Sequence, residues 1–117
     1  MDDAKKMLPL TPITFHILLA LADEERHGYG IIKDVEARTG GEMSIETGAL
    51  YHAVKRMLDD GLIEVVPPGE RPPNEDRRRR TYRLRSWGRE VLAAESLRLR
   101  HLLRIAEAKD VIPDPAT

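Results

Sequence analysis

The chain carries residue types that could support acid–base or metal chemistry, but their spacing builds no catalytic motif. Its 117 residues include twenty carboxylates and four histidines, His16, His27, His52 and His101. There is no His-Glu-x-x-His spacing, which places two metal ligands on one helix face, and no glycine-rich phosphate loop follows a strand. We therefore expect no enzyme activity, no bound metal and no cofactor. A histidine that senses pH or a metal between subunits is the remaining alternative, because histidine titrates near neutral pH.

Hydrogen-bond donors for phosphates and base edges are better represented. Residues 77–104 contain ten arginines and two glutamates, a net charge of +8, whereas the rest of the chain carries −9 and the total is −1. Such a run is often only a solvated surface. Here it adjoins the tip of a predicted hairpin, which favours contact with nucleic acid.

Residues 48–64 have the pattern of a DNA-recognition helix that runs into a strand. Apolar residues at positions i, i+4, i+7 and i+8 form one buried face, namely Leu50, Val54, Met57 and Leu58. The helix N-terminus favours a phosphate, because its backbone N–H groups are free and the helix dipole is positive there. The predicted DNA contacts are Ser44, Thr47, Gly48, Tyr51, His52 and Lys55. Tyr51 has an equal alternative as an ordinary half-buried tyrosine.

Two further helices must support this one. Thr11 and Pro12 are typical of a helix start, and the helix they begin extends to about Ala22. After a polar connection at residues 23–27, a second helix begins at Gly28 and stops at residues 39–41, where two glycines end it. The recognition helix stops at Gly61. The three helices predict a helix-turn-helix with a preceding support helix.

A β-hairpin, or wing, is predicted to follow. Its strands are residues 62–66 and 77–84, joined by a loop rich in proline and charge. The second strand begins with four arginines that could reach a minor groove or flanking phosphates. Because side chains alternate along a strand, only about two of the four would face DNA. The wing contacts are therefore predicted among Arg77, Arg78, Arg79 and Arg80.

The last helix is predicted over residues 86–109, capped by Ser86, and residues 110–117 form a frayed tail. Its apolar residues cover close to half of its circumference, wider than a single contact needs. A symmetric dimer would cover this surface, although folding back over the chain's own core is the alternative. The predicted dimer contacts are Val91, Leu92, Leu99, Leu102, Leu103 and Ala106. Residues 1–85 would then form the DNA-binding domain.

The composition also indicates the cellular compartment of this domain. There is no cysteine, so no disulfide framework is available. The N-terminal stretch lacks the basic and long apolar layout of a signal peptide, and no apolar run reaches membrane-spanning length. We expect a cytoplasmic protein.

Taken in order, several motifs resemble the PadR family of transcriptional regulators. They are His27-Gly-Tyr29, Gly48-Ala-Leu-Tyr51, Lys55-Arg-Met-Leu58, Gly61-Leu-Ile63, Arg80-Thr-Tyr-Arg-Leu84 and Gly88. The single C-terminal helix is similar to the short subfamily. The resemblance implies a winged helix-turn-helix, a homodimer through the last helix, repression of a nearby promoter, and a backbone contact from Tyr51.

One departure from the family pattern is Trp87, which stands where the family often has a small or acidic residue. It could contact a flat ligand, as aromatic residues do in drug-responsive relatives, but packing against the wing is the favoured interpretation.

The sequence thus predicts an α+β, mainly α fold. It also predicts a homodimeric repressor of a palindromic operator on double-stranded DNA that responds to a small-molecule effector or stress signal. The alternative function is a winged-helix module that binds another protein and no DNA.

Overall fold

This computed structural model describes residues 2–71 and 79–115, which contain five α-helices and three short strands. The helices are α1 (Asp2–Lys5), α2 (Pro12–Ala22), α3 (Gly28–Arg38), α4 (Thr47–Asp59) and α5 (Ser86–Ala108). The strands are β1 (Arg26–His27), β2 (Ile63–Val65) and β3 (Thr81–Leu84), and a 3₁₀ turn spans Pro68–Glu70. This is the predicted winged helix-turn-helix, with α2 as support helix, α4 as recognition helix, and β2 and β3 as the wing.

Local signals define the ends of the predicted helices. The Thr11 hydroxyl accepts a hydrogen bond from the Thr14 N–H at 3.2 Å and caps α2, whose first residue is Pro12. Gly61 ends α4 with a φ of 75°, a conformation that glycine adopts at little cost. The Leu62 N–H then donates to the Met57 carbonyl at 2.9 Å, which closes the turn into the wing. These starts and stops agree with the prediction.

The sheet has one strand more than the sequence analysis predicted. β3 lies in the middle, antiparallel to β2 on one side and to β1 on the other. Assigning all of residues 23–27 to a polar connection was therefore wrong, because Arg26 and His27 pair with Tyr82 and Thr81. The second wing strand also begins later than predicted, at Thr81. Residues 77 and 78 lie outside the described part of the chain.

The core forms where the three central helices meet the wing and the first half of α5. Its buried residues include Ile17, Leu18, Ile31, Val35, Leu50, Val54, Met57, Leu62, Ile63, Tyr82, Val91 and Leu92. At Gly88, α5 passes so close to the wing that an added Cβ would collide with the carbonyl oxygen of Leu62. The Arg85 N–H donates to that same oxygen at 3.0 Å. Arg85 is the N-cap residue of α5 and makes no side-chain cap bond, so the predicted cap by Ser86 is wrong.

The N-terminal segment packs against α5 and contacts a buried carboxylate on that helix. α1, which the sequence analysis did not predict, lies along α5. Glu95 on α5 is only 2% exposed, and its Oε2 accepts a hydrogen bond from the Leu10 N–H at 2.8 Å. Arg98 completes the arrangement, with its Nη2 3.0 Å from the same oxygen. This contact fixes the segment that precedes α2 onto the last helix.

Candidate nucleic-acid interface

α4 buries one face and leaves the other free. Leu50, Val54 and Met57 are at most 2% exposed, and Leu58 is half-buried. The predicted contact residues on or next to α4 are all exposed, namely Ser44, Thr47, Gly48, Tyr51, His52 and Lys55. The amphipathic pattern therefore positions the helix as required for insertion into a groove.

The N-terminus of α4 is open. Its N-cap residue, Glu46, makes no side-chain cap hydrogen bond, so its side chain leaves the first-turn N–H groups accessible to a phosphate oxygen. Ser44 has a partner of its own, because its hydroxyl lies 3.3 Å from Oε1 of Glu36 on α3. A phosphate would have to compete with this bond for the Ser44 hydroxyl.

Tyr51 packs and remains accessible at the same time. Its side of α4 faces the start of α3, where a Cβ added to Gly28 would collide with the phenol ring and hydroxyl. The tyrosine is nevertheless 47% exposed. Gly28 thus lets α3 and α4 approach closely, and Tyr51 stays partly accessible next to His52.

The wing places two of the predicted arginines on the same side of the molecule as Tyr51 of α4. Arg79 and Arg80 are exposed and precede β3, while Arg77 and Arg78 lie outside the described residues. The backbone of Arg79 is held by Arg71, whose Nη1 donates to the Arg79 carbonyl. Between the wing, α4 and the start of α3 lies a cleft of about 390 Å³, which we call the wing cleft. It is lined by His27, Gly28, Tyr29, Tyr51, Arg79, Arg80 and Tyr82.

Tyr82 and Arg83 on β3 differ in their surroundings. Tyr82 is buried, and burial, followed by the nearby Tyr51, raises its pKa, so it remains a neutral phenol. Arg83 is engaged by carboxylates: Nε lies 2.7 Å from Glu64, and Nη1 lies 3.3 Å from Glu70. Hydrogen bonds to Glu64 and then Glu70 raise the pKa of Arg83. This arginine is neutralised within the wing and is not free for a phosphate.

The predicted dimer contacts on α5 divide into two groups. Val91 and Leu92 are buried in the chain's own core, because the first half of α5 lies against α2. They are therefore not available on an outer face. Leu99, Leu102 and Leu103 are 38–52% exposed, and Ala106 is half-buried. Leu97 and Ile105, which were not among the predicted contacts, add to the exposed apolar surface.

The remaining candidates are the residues considered for ligand or metal binding. Trp87 is half-buried against the core. His16 Nδ1 is buried and has no hydrogen-bond partner among the described residues, and burial, followed by Arg38, lowers its pKa. Within residues 2–71 and 79–115, no three histidine or acidic side chains lie close enough together to hold a metal ion.

Two polar residues with specific contacts were missed by the sequence analysis. His27 was interpreted as part of a loop, but its Nδ1 accepts from the Gly30 N–H at 3.1 Å and caps α3. Glu95 was counted only as a charge. Its position between Leu92 and Leu99 on the apolar face of α5 was a signal that it is buried.

A model of the transcriptional regulator PadR-like family matches residues 17–94. The chain belongs to the PadR-like family. Members of this family regulate transcription and are not enzymes, as predicted. No helix in the described residues is long and apolar enough to cross a membrane. A search of curated proteins found no match.

Solved structures of transcriptional regulators share the fold. A PadR family transcription regulator from Clostridium difficile R20291 is 24% identical with a TM-score of 0.68, over 84% of this chain and 97% of that one. A transcriptional regulator from Clostridium thermocellum is 22% identical with a TM-score of 0.65, over 95% of this chain and 96% of that one. Bacillus subtilis PadR, solved with operator DNA, is 22% identical with a TM-score of 0.59, over 74% of this chain and 47% of that one.

Proposed function

We propose that this PadR-like regulator is a cytoplasmic, sequence-specific DNA-binding protein that represses transcription as a homodimer. The observation that carries the proposal is the wing cleft, which joins Tyr51 of α4 to Arg79 and Arg80 of the wing on one side of the molecule. Recognition helix and wing can then contact adjacent parts of one duplex. DNA as the partner is supported by a structural neighbour, Bacillus subtilis PadR, which was solved in complex with operator DNA.

The homodimer is proposed from α5. Leu99, Leu102 and Leu103 on its second half present apolar area to solvent that a second copy would cover. Residues 1–85 then act as the DNA-binding domain and residues 86–109 as the dimerisation helix, followed by a tail at 110–117. A two-fold dimer requires a palindromic operator with half-sites about 34 Å apart, one turn of B-DNA.

The proposal includes a small-molecule or stress signal that changes the spacing of the two recognition helices. Trp87 is the candidate ligand contact, because this aromatic residue, although packed against the core, stays partly exposed. It is also the one tryptophan of the chain. Its fluorescence reports on binding directly. Saturable quenching by a flat aromatic compound, together with weaker operator binding, is the expected result.

The proposed function is tested by footprinting the DNA upstream of the protein's own coding region. We expect a protected site with two-fold symmetry and an affinity that falls steeply between 50 and 200 mM salt. Replacing both Arg79 and Arg80 with alanine should lower the salt slope by roughly 0.9 for each lost phosphate contact. In the control variant, alanine replaces Arg100, an exposed arginine on α5. A heteromeric partner with no salt-dependent duplex binding would instead establish the protein-interaction module.

A further inference from the structure

In the wing cleft, two hydrogen-bond donors face each other. His27 Nδ1 accepts from the Gly30 N–H at 3.1 Å, and a neutral imidazole that accepts at one nitrogen carries its proton on the other. Nε2 of His27 is therefore a donor. It lies 3.5 Å from Nη1 of Arg79, which is also a donor and has no lone pair. Neither N–H can bond to the other, so both require an acceptor supplied from outside this pair.

The geometry of His27 is fixed independently of Arg79. Its ring stacks on Tyr29, with centroids 6.5 Å apart and an interplanar angle of 13°. The ammonium of Lys33 lies 5.3 Å from the Tyr29 ring centroid and brings a further positive charge to this edge of α3. The imidazole is therefore held by its cap bond and by stacking, and its Nε2–H is preorganised.

The rest of the wing cleft suits an anion. Its polar side chains, besides His27 and Arg79, are Arg80 and the three tyrosines, all of which can donate hydrogen bonds. None of the described residues that line it is an aspartate or a glutamate. A tetrahedral oxyanion has the several acceptor oxygens that this set of donors requires, and guanidinium groups bind phosphate with charge-assisted hydrogen bonds.

We propose that His27 and Arg79 jointly bind one phosphate of the DNA backbone in the wing cleft. This inference rests on the proposed function and assigns to the start of α3 a contact that neither α4 nor the wing provides alone. The backbone of DNA is preferred over a free anion because Tyr51, on the recognition helix, lines the same cleft. One phosphate is thereby held between α3, α4 and the wing, which sets the register of the protein on the duplex.

The test is a double-mutant cycle on duplex binding, followed by fluorescence anisotropy in 50 to 200 mM salt. His27→Asn keeps a side-chain acceptor that can cap α3 but removes the Nε2 donor. Arg79→Gln removes the guanidinium, and Arg100→Gln on α5 is the matched charge control. Equal thermal midpoints for all variants establish that they remain folded.

We expect Arg79→Gln to weaken binding about tenfold and to lower the salt slope by roughly 0.9. His27→Asn should weaken binding about fivefold on every duplex sequence without changing the slope, because the lost donor is neutral. In the Arg79→Gln background, His27→Asn should cost less than twofold, since the two side chains share one phosphate. Additive losses, or no loss for His27→Asn while the wild type binds DNA, would overturn the inference and leave the proposed function standing.

A second measurement separates the two sources of phosphate. Inorganic phosphate is titrated into the DNA-free protein while the imidazole NMR signals of His27 are followed. Weak shifts that saturate only at tens of millimolar phosphate fit a site built for a polymer backbone. Tight saturation by inorganic phosphate, with His27→Asn neutral for DNA binding, would assign the cleft to a free anion. Absence of duplex binding by the wild type would end both proposals.

Discussion

The buried carboxylate of Glu95 allows a quantitative prediction for the variant Glu95→Gln. This side chain is 2% exposed, accepts from the Leu10 N–H at 2.8 Å and pairs with Arg98. Glutamine has nearly the same shape and can still accept one hydrogen bond, but it carries no charge. The variant therefore isolates the effect of the charge from the effect of packing.

The expected loss in the free energy of unfolding is about 1–2 kcal/mol. A hydrogen bond to a charged group contributes about 1.5–3 kcal/mol and a neutral one about 0.5–1.5 kcal/mol. The ion pair adds little, because Arg98 is 38% exposed and solvent screens it. For a domain of this size the loss corresponds to a decrease in thermal midpoint of roughly 3–8 °C.

The pH dependence of this difference follows from the pKa of Glu95. The hydrogen bond from Arg98 lowers that pKa below its ordinary value of 4.5, with the Leu10 N–H adding to the effect and burial opposing it. A carboxyl with a lowered folded-state pKa stabilises the fold above its unfolded pKa, and this contribution disappears as pH falls through the folded value. The gap between wild type and Glu95→Gln should thus be constant from pH 6 to 8 and narrow below about pH 4.5.

Urea unfolding followed by circular dichroism at pH 7, 5, 4 and 3.5 measures this gap. All samples are compared at one protomer concentration, because association would add to the apparent stability. Glu90→Gln, an exposed carboxylate on the same helix, is the control and should change stability by less than about 0.5 kcal/mol. A gap that stays the same at pH 3.5 and pH 7 would refute the assignment of the effect to the charge.

Four other substitutions have distinct expected outcomes. Gly88→Ala should reduce the free energy of unfolding by about 3 kcal/mol, because the added methyl group would collide with the backbone of Leu62. Gly48→Ala has open space around it and should be neutral or stabilising by up to about 1 kcal/mol. Thermal melts measure both effects. Asp34→Asn should lose about 1–2 kcal/mol in urea unfolding, since this carboxylate pairs with arginines on two sides, at 3.2 and 2.7 Å. His52→Ala should change the preference among operator sequences; equal loss on all duplexes would mean that His52 touches only phosphate.

Local patterns in the sequence were sufficient for the helices that position the interface. The burial of Leu50, Val54 and Met57 follows from periodicity along one helix, and the ends at Thr11 and Gly61 follow from the chemistry of single residues. Strand β1 gave no such signal. Two residues are too few to show alternation, and Arg26 and His27 become a strand only because β3, more than fifty residues later, pairs with them.

In the candidate site, too, local features could be predicted from the sequence and contacts between distant residues could not. Exposure of His52 and Lys55 on α4 is a property of one helix and could be predicted. The contact between His27 and Arg79 joins residues 52 positions apart, so no local pattern encodes it. On α5, the apolar stripe could not distinguish Val91, which packs in the chain's own core, from Leu102, which faces solvent, because both are aliphatic residues on the same side of one helix.

The junction between β3 and α5 has a mechanical consequence. Arg85 alone separates Leu84, the last residue of the strand, from Ser86, the first residue of the helix, and its backbone is bonded to Leu62. At Gly88 the helix backbone touches the wing with no side chain between them. Because this joint is short and closely packed, we expect the first turns of α5 and the hairpin to move together. A rotation of α5 would then change the position of the wing arginines.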